Sequence, residues 1–574
     1  MDKRLKHSVT AEEEAAYVNW INKLLKPDAD LKFMMPLETG KFFPKLKDGL
    51  LLCKLVNTVQ ANTIDERTLN KREDKELSIF KKHENLNLAV NSARAIGVNT
   101  TNIHAEDFLK ERAHLILSFL RQLIILGLFA RLDLKSHPGL QVLLKPNEEL
   151  SDFIKMSPEK ILMRWVNYQL ALAKCKRRMK NFTKDVQDCE IFSNLIRQIA
   201  PREVPITMDA MIEPNLTKRA DIMLDQANKL GCRDFITSRD VSTGNYKLCL
   251  AFVANLFNNH PSLPIDVLEA PEEKIEETRE EKTFRNWINS LGVMPRVKYL
   301  FPDLQDGIVL CGLLDKMQPK SVDWTKVKKT FKKATAKIDK RENCVQVVEV
   351  AKGFGVSLVG IGGADIYDMK KNAIMSLLYQ LLHKQTMSIL LKLKPGGKIQ
   401  DKDIIQWAAT KLKDNEKKRT FKSFTDPNLV DGIAILELLE CIKPGRVSWG
   451  LVKGYTDSGV PDANISDEDR LSNIGYAISL SRKLGAVIIA LPEDVLELKP
   501  KMMMTIFASL MTLDTITAEN PPEVETEETG TRTSKRKSKK GTSSPIKKSP
   551  EAEEEEEEEE EEEVELDDED VEEE

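Results

Sequence analysis

At 574 residues, with 41% hydrophobic and 31% charged content, the chain can bury several cores, and its length suggests roughly three to five domains. No run approaches the ~18 apolar residues of a membrane span; residues 114–130 come nearest and carry Arg121 and Gln122 at their centre. The net charge of −5 hides a split: residues 521–574 hold 24 acidic and 8 basic residues, leaving 78 basic against 67 acidic in the rest. A basic body favours an acidic partner.

The first residues are polar and acidic without an apolar core, so no secretory signal is expected. Eight cysteines without a Cys-x-x-Cys pattern fit a reducing compartment. An amphipathic helix around Trp20 precedes residues 45–57, KLKDGLLLCKLVN, where an Asp-Gly pair opens a run apolar on nearly every side. A helix apolar all round belongs inside a domain, and Asp48 can cap its free N–H groups. Leu86, Val90, Ala93 and Ile96 then keep helical spacing up to Gly97, which suits the left-handed position past a helix end. Asp107 and a closing apolar helix over 115–128 complete the unit.

The same order recurs three times. Trp165, Trp287 and Trp407 mark first helices; 191–199, 308–314 and 433–439 are the buried runs. Gly231 and Gly485 stop the amphipathic helices, with Gly353 and Gly355 competing in the third unit. Asp240, Asp365 and Asp494 follow, before closing helices over 248–257, 374–382 and 502–510. The Gly-to-Asp gap alternates between 10 and 9 residues, and units one and three both carry N-W-I-N at 19–22 and 286–289. The order is therefore A-B-A-B. The expected fold is all-α: domains at 11–131, 157–261, 279–386 and 400–515, joined by linkers at 132–156, 261–278 and 384–402, with a disordered basic-then-acidic tail over 519–574. β-like runs such as 486–490 lie between a glycine stop and a cap and are read as loops.

Several stretches carry a family resemblance: TIDER at 63–67, ENLNLAVNSARAIG at 84–97, SPEKILMRWVN at 157–167, REEKTFRNWINSLGV at 279–293, VDW at 322–324, SLVGIGG at 357–363, and ALPEDVLELKPKMMMTIFASLM at 490–511. The chain resembles the tandem calponin-homology proteins of the fimbrin and plastin family over about residues 11–513. That resemblance implies two tandem actin-binding units, each made of two domains, so that one monomer grips two filaments and bundles them by bivalency. It implies filamentous actin as partner with two sites per monomer, no nucleic acid, no membrane, no cofactor or metal, no enzyme activity, and a place in the cytoplasm on the actin cytoskeleton. Family members carry two calcium-binding EF-hands ahead of the first domain; here about ten residues precede it, and no EF-hand loop pattern occurs, so bundling is expected to ignore calcium. The resemblance places the contact surface of the first pair on 11–26, 105–128 and 158–172, with Lys23, Lys110, Arg112, Arg121, Gln122 and Lys160 as contact residues; in the second pair they are Arg285, Lys328, Lys332, Lys333 and Lys371.

An enzyme is disfavoured by the residues themselves: no phosphate-loop pattern occurs, and the seven histidines show no metal spacing. The alternative function is a microtubule-binding or scaffold protein using the same domains. The acidic end of the tail is expected to fold back on the basic body and compete with actin.

Overall fold

This computed structural model describes residues 11–519, apart from 73–75, 131, 133, 135, 147, 149–152, 154–155, 235, 265–276, 333, 394–398, 456–461 and 463. The tail reading therefore lies outside the described residues. Among those described, secondary structure is helical and no strand occurs. Unit one comprises α1 (Ala11–Leu25), α2 (Leu50–Val59), α3 (Ile79–Ala95), α4 (Ala105–Leu109) and α5 (Ala113–Phe129). Unit two repeats them as α6 (Pro158–Leu172), α7 (Glu190–Ile199), α8 (Leu216–Lys229), α9 (Ser238–Thr243) and α10 (Tyr246–Asn259). Unit three has α11 (Arg279–Ser290), a short extra helix α12 (Leu300–Leu304), α13 (Ile308–Met317), α14 (Ala336–Gly353), α15 (Gly363–Tyr367) and α16 (Lys371–Leu393). Unit four closes the set with α17 (Asp401–Asp414), α18 (Ile433–Ile442), α19 (Asp467–Leu484), α20 (Pro492–Leu496) and α21 (Pro500–Glu519).

Each unit is built around its second principal helix. In α2, Leu50 through Val56 are all buried, Lys54 included. The entry is the same four times. An Asp side chain accepts from the first helical N–H: Asp48 from Leu50 at 3.1 Å, Asp188 from Glu190 at 3.2 Å, Asp306 from Ile308 at 2.9 Å and Asp431 from Ile433 at 3.0 Å. The next residue is left-handed: Gly49, Gly307 and Gly432 at φ 71°, 79° and 73°, and Cys189 at φ 63°. Burial pushes the Asp48 and Asp306 carboxyls above the ordinary carboxylate range, against the pull of the same cap bonds. A Cβ on Gly49 would lie 2.7 Å from the backbone nitrogen of Leu86, so α3 crosses directly over this turn.

The glycine stops also hold. Gly97, Gly231, Gly355 and Gly485 all have positive φ. In unit three the stop is Gly355, while Gly353 is the last residue of α14. The recurrent Asp that follows is the third residue of a short helix, and its carboxylate accepts the cap residue's own N–H: His104 to Asp107 at 2.7 Å, Thr237 to Asp240 at 3.0 Å, Gly362 to Asp365 at 2.8 Å, and Leu491 to Asp494 at 3.0 Å. This is the carboxylate half of a capping box. It explains why an Asp recurs at a fixed distance from the glycine.

Two asparagine clamps finish the frame, and the sequence reading had not identified them. Asn22, Asn167 and Asn289, each two residues after the first-helix Trp, donate to and accept from one residue of the next loop: Leu37, Met179 and Val297. Asn85, Asn343 and Asn473 do the same for Asn70, Lys328 and Lys453. Unit two uses Arg219 instead, donating to the carbonyls of Glu213 and Asp188. Trp20, Trp165 and Trp287 are buried, whereas Trp407 is half-buried and donates to Asp514 at 3.0 Å. All eight cysteines are free, and seven are buried.

Apolar packing groups the units in twos. One continuous core runs from Tyr17 to Phe257 through units one and two; a second runs from Phe284 to Leu513 through units three and four. The linker expected to begin at 384 begins later. α16 continues to Leu393, because Met387 and Leu390 are buried in the core shared with unit four.

The close crossing of α3 over Gly49 makes a testable contrast. Gly49→Ala combines a left-handed alanine with a sub-contact distance and should cost about 2–4 kcal/mol. Gly40→Ala, at φ 79° with open space around it, should cost about 1 kcal/mol. Native-state hydrogen exchange of the α2 amides reads both.

Candidate binding surfaces

The proposed contact residues of the first pair meet different fates. Lys110 and Arg112 sit at the turn between α4 and α5 and are about half exposed; they pair with Glu106 at 3.0 Å and Asp107 at 2.9 Å. Lys160 is exposed on the first turn of α6, whose N-terminus Ser157 caps. Arg121 is half-buried on α5. Gln122 has a structural bond set: it accepts from the Asn99 N–H at 2.8 Å and donates to the Asn99 carbonyl at 3.2 Å, pinning the loop after the Gly97 stop. Lys23 donates to the Gly231 carbonyl and to Asp234, each at 2.9 Å. It therefore ties α1 to unit two. Asn258 adds a second tie, donating to the Leu128 carbonyl at 2.9 Å.

In the second pair Lys371 projects from the first turn of α16 at 70% exposure, 5.2 Å from the Phe301 ring and 3.9 Å from Glu281. Lys328 and Lys332 are exposed, and Lys333 lies outside the described residues. Arg285 is only 18% exposed and is held bidentately by Glu277 at 2.6 and 2.9 Å. Beside Lys371, residues 359–361 line a shallow recess with Asp365, Lys370 and Ser376, and Val359 is 91% exposed at its rim. The stretch SLVGIGG at 357–363 carries the family resemblance. Its composition gives no sign that Val359 faces water, because apolar residues between glycines look like core.

The pairs touch through polar groups. Asn286, in the first helix of unit three, donates to the Ala95 carbonyl at 3.0 Å, and Arg296 donates to the Gly97 carbonyl at 2.9 Å. Arg279 pairs with Glu497 of unit four. That helix is thus engaged on both sides, and little of it is left for an external partner.

Units one and four meet through corresponding faces. Asp65 N–H donates to Ser479 Oγ at 2.9 Å; Arg67 donates to the Leu451 and Ser472 carbonyls and lies 5.3 Å from the Tyr476 ring centre. Asn91 donates to the Arg482 carbonyl at 2.9 Å, and Arg482 returns a bond to Thr63 at 3.1 Å. Glu84 takes Arg446 at 3.0 Å and Lys483 at 3.6 Å. The exchange is reciprocal: the α3 side of unit one meets the loop of unit four, and α19 meets the loop of unit one. Burial pushes the Arg482 guanidinium down to about 10, which leaves it charged at neutral pH. The stretch TIDER is therefore an interface segment.

Among the described residues no group of three or more His, Cys, Asp or Glu is placed to hold a metal, and no helix is long and apolar enough to cross a membrane.

Comparison with known proteins agrees with this architecture. The calponin homology (CH) domain model matches residues 11–127, 156–262, 278–386 and 398–516. Fimbrin of Dictyostelium discoideum is 46% identical over 511 residues, covering 88% of this chain and 81% of that protein. Plastin-3 of Homo sapiens is 42% identical over 524 residues, covering 88% and 80%. The crystal structure described as the actin-crosslinking core of Schizosaccharomyces pombe fimbrin matches with TM-score 0.70 at 36% identity, covering 88% of this chain and all of that one.

Arg67 makes three hydrogen bonds and a ring contact to unit four from one side chain. Arg67→Ala should leave each unit folded and weaken that contact by about 1–3 kcal/mol. The expected readout is a larger radius of gyration in solution scattering at unchanged helix content.

Proposed function

The chain belongs to the fimbrin and plastin family of calponin-homology proteins, and on that premise we propose that it is a bivalent actin-bundling protein. The observation that carries this is the pairing of cores: four calponin-homology domains form two apolar bodies, one from units one and two and one from units three and four. Each body is one grip on filamentous actin, and one monomer ties two filaments. The protein is not an enzyme; its work is binding and cross-linking. It acts on the actin cytoskeleton, in the cytoplasm, without nucleic acid, membrane or cofactor.

We take the domains as residues 11–131, 157–261, 279–386 and 400–515. For contact residues the side-chain environment divides the candidates. Lys110, Arg112, Arg121 and Lys160 in the first pair, and Lys328, Lys332, Lys333 and Lys371 in the second, remain our proposals for direct contact. Lys23, Gln122 and Arg285 contribute by holding those surfaces in place: Lys23 ties α1 to unit two, Gln122 pins the Asn99 loop, and Arg285 is only 18% exposed and held by Glu277 of the linker.

Sedimentation with actin filaments separates binding from bundling. The intact protein should pellet with filaments at high speed and pull them into low-speed pellets as bundles. The two halves, expressed separately, should each bind at high speed and neither should bundle as a monomer. Monomeric bundling by either half would refute the two-grip mechanism, and binding to microtubules in place of actin would favour the alternative use of these domains.

The sequence holds no EF-hand loop pattern, so bundling by this chain should be equal in calcium and in chelator; separated curves would overturn that.

A further inference from the structure

The loop between the buried helix and the amphipathic helix that follows has different fates in units one and three. In unit one it is closed. Thr63, Asp65, Arg67 and Asn70 all bond to unit four. Its charge is balanced, with four basic and five acidic residues over 60–78. In unit three the corresponding loop and the first turn of α14, residues 320–341, hold nine basic and two acidic residues. Lys320, Lys326, Lys328, Lys329, Lys332 and Lys337 are exposed. Of the two acids, Asp323 lies 3.3 Å from Lys326 and Asp339 accepts from Thr335.

This strip rests on a fixed backbone. Asn343 clamps Lys328 through both its N–H and its carbonyl at 2.9 Å, and Lys340 lies 5.3 Å from the Phe331 ring centre. It also runs into the proposed contact surface of the second pair. Arg341 lies 5.0 Å from the Tyr367 ring centre and 3.4 Å from Asp368; Lys370 and Lys371 follow in the chain. So many like charges along one segment repel each other, and an acidic partner relieves that repulsion.

We propose that this basic strip is the salt-sensitive part of the second pair's grip on the filament, so that rising ionic strength releases the second pair first and turns a cross-linker into a single-handed binder. The inference rests on the actin-bundling function proposed above. Unit one carries no such basic strip, because the corresponding loop is near-neutral in charge and four of its residues bond to unit four. Exposed charge–charge attraction is screened within ~8 Å at physiological salt, so a grip built on lysines weakens more steeply than one built on packed surface.

The test uses the full chain and a variant with Lys326, Lys328, Lys332 and Lys337 changed to Gln, sedimented with actin from about 50 to about 300 mM KCl. In the unmodified protein, low-speed bundling should fall at lower salt than high-speed binding. In the variant the bundling midpoint should drop about two- to threefold in salt while high-speed binding stays in place. The matching Lys→Arg variant should follow the unmodified curve. Identical bundling curves for the Gln variant, or a joint fall of binding and bundling in the unmodified protein, would overturn the proposal. So would unchanged bundling combined with lost binding to anionic phospholipid vesicles, which would assign the strip to a membrane. Absence of high-speed binding at every salt would instead remove the actin function itself.

Discussion

The structure depends on one way of starting a buried helix. An apolar helix in the middle of a domain cannot borrow water for its first N–H groups, so the chain must supply an acceptor within two residues. Asp48, Asp188, Asp306 and Asp431 do so. The residue between cap and helix turns left-handed, and this lets the following amphipathic helix cross almost in backbone contact. Unit two pays for a cysteine at that position with a strained φ, which shows that the turn is required and the glycine is only its easiest solution.

Around that helix, polar side chains act as fasteners for loops. Each Asn clamp satisfies an N–H and a carbonyl, and each carboxylate of a short helix satisfies one N–H, that a loop would otherwise leave unpaired near the core. Loop backbone is thus fixed without regular secondary structure between units. Exposed charges such as Lys328 consequently stand on defined positions, which matters for a protein whose function is contact with a repeating surface.

The division of labour between apolar and polar contacts sets the assembly. Within each pair the cores merge, and separating the domains would expose apolar area. Between pairs the contacts are hydrogen bonds and ion pairs, with Arg482 buried while still charged. Polar interfaces of this kind come apart at lower cost than apolar ones, because water replaces the lost bonds.

The sequence determined much of what acts over one or two helical turns: the four buried helices, the Asp48 cap, the glycine stops of units one, two and four, the recurrent Asp and the A-B alternation all follow from local spacing. The long α16 departed from the pattern because burial against a neighbouring unit, invisible in local periodicity, decides helix length; Trp407 stays half-buried and bonds to Asp514 of its own unit. Only the tertiary structure decided that unit one meets unit four, that Gln122 and Lys23 are fasteners, and that Val359 and the lysines of unit three lie open. Those outcomes depend on partners up to about four hundred residues away, as between Asp65 and Ser479. The residues that make such contacts are ordinary Asn, Ser, Arg and Lys. Their types are common on any surface, so nothing in their spacing tells which ones a fold will cover.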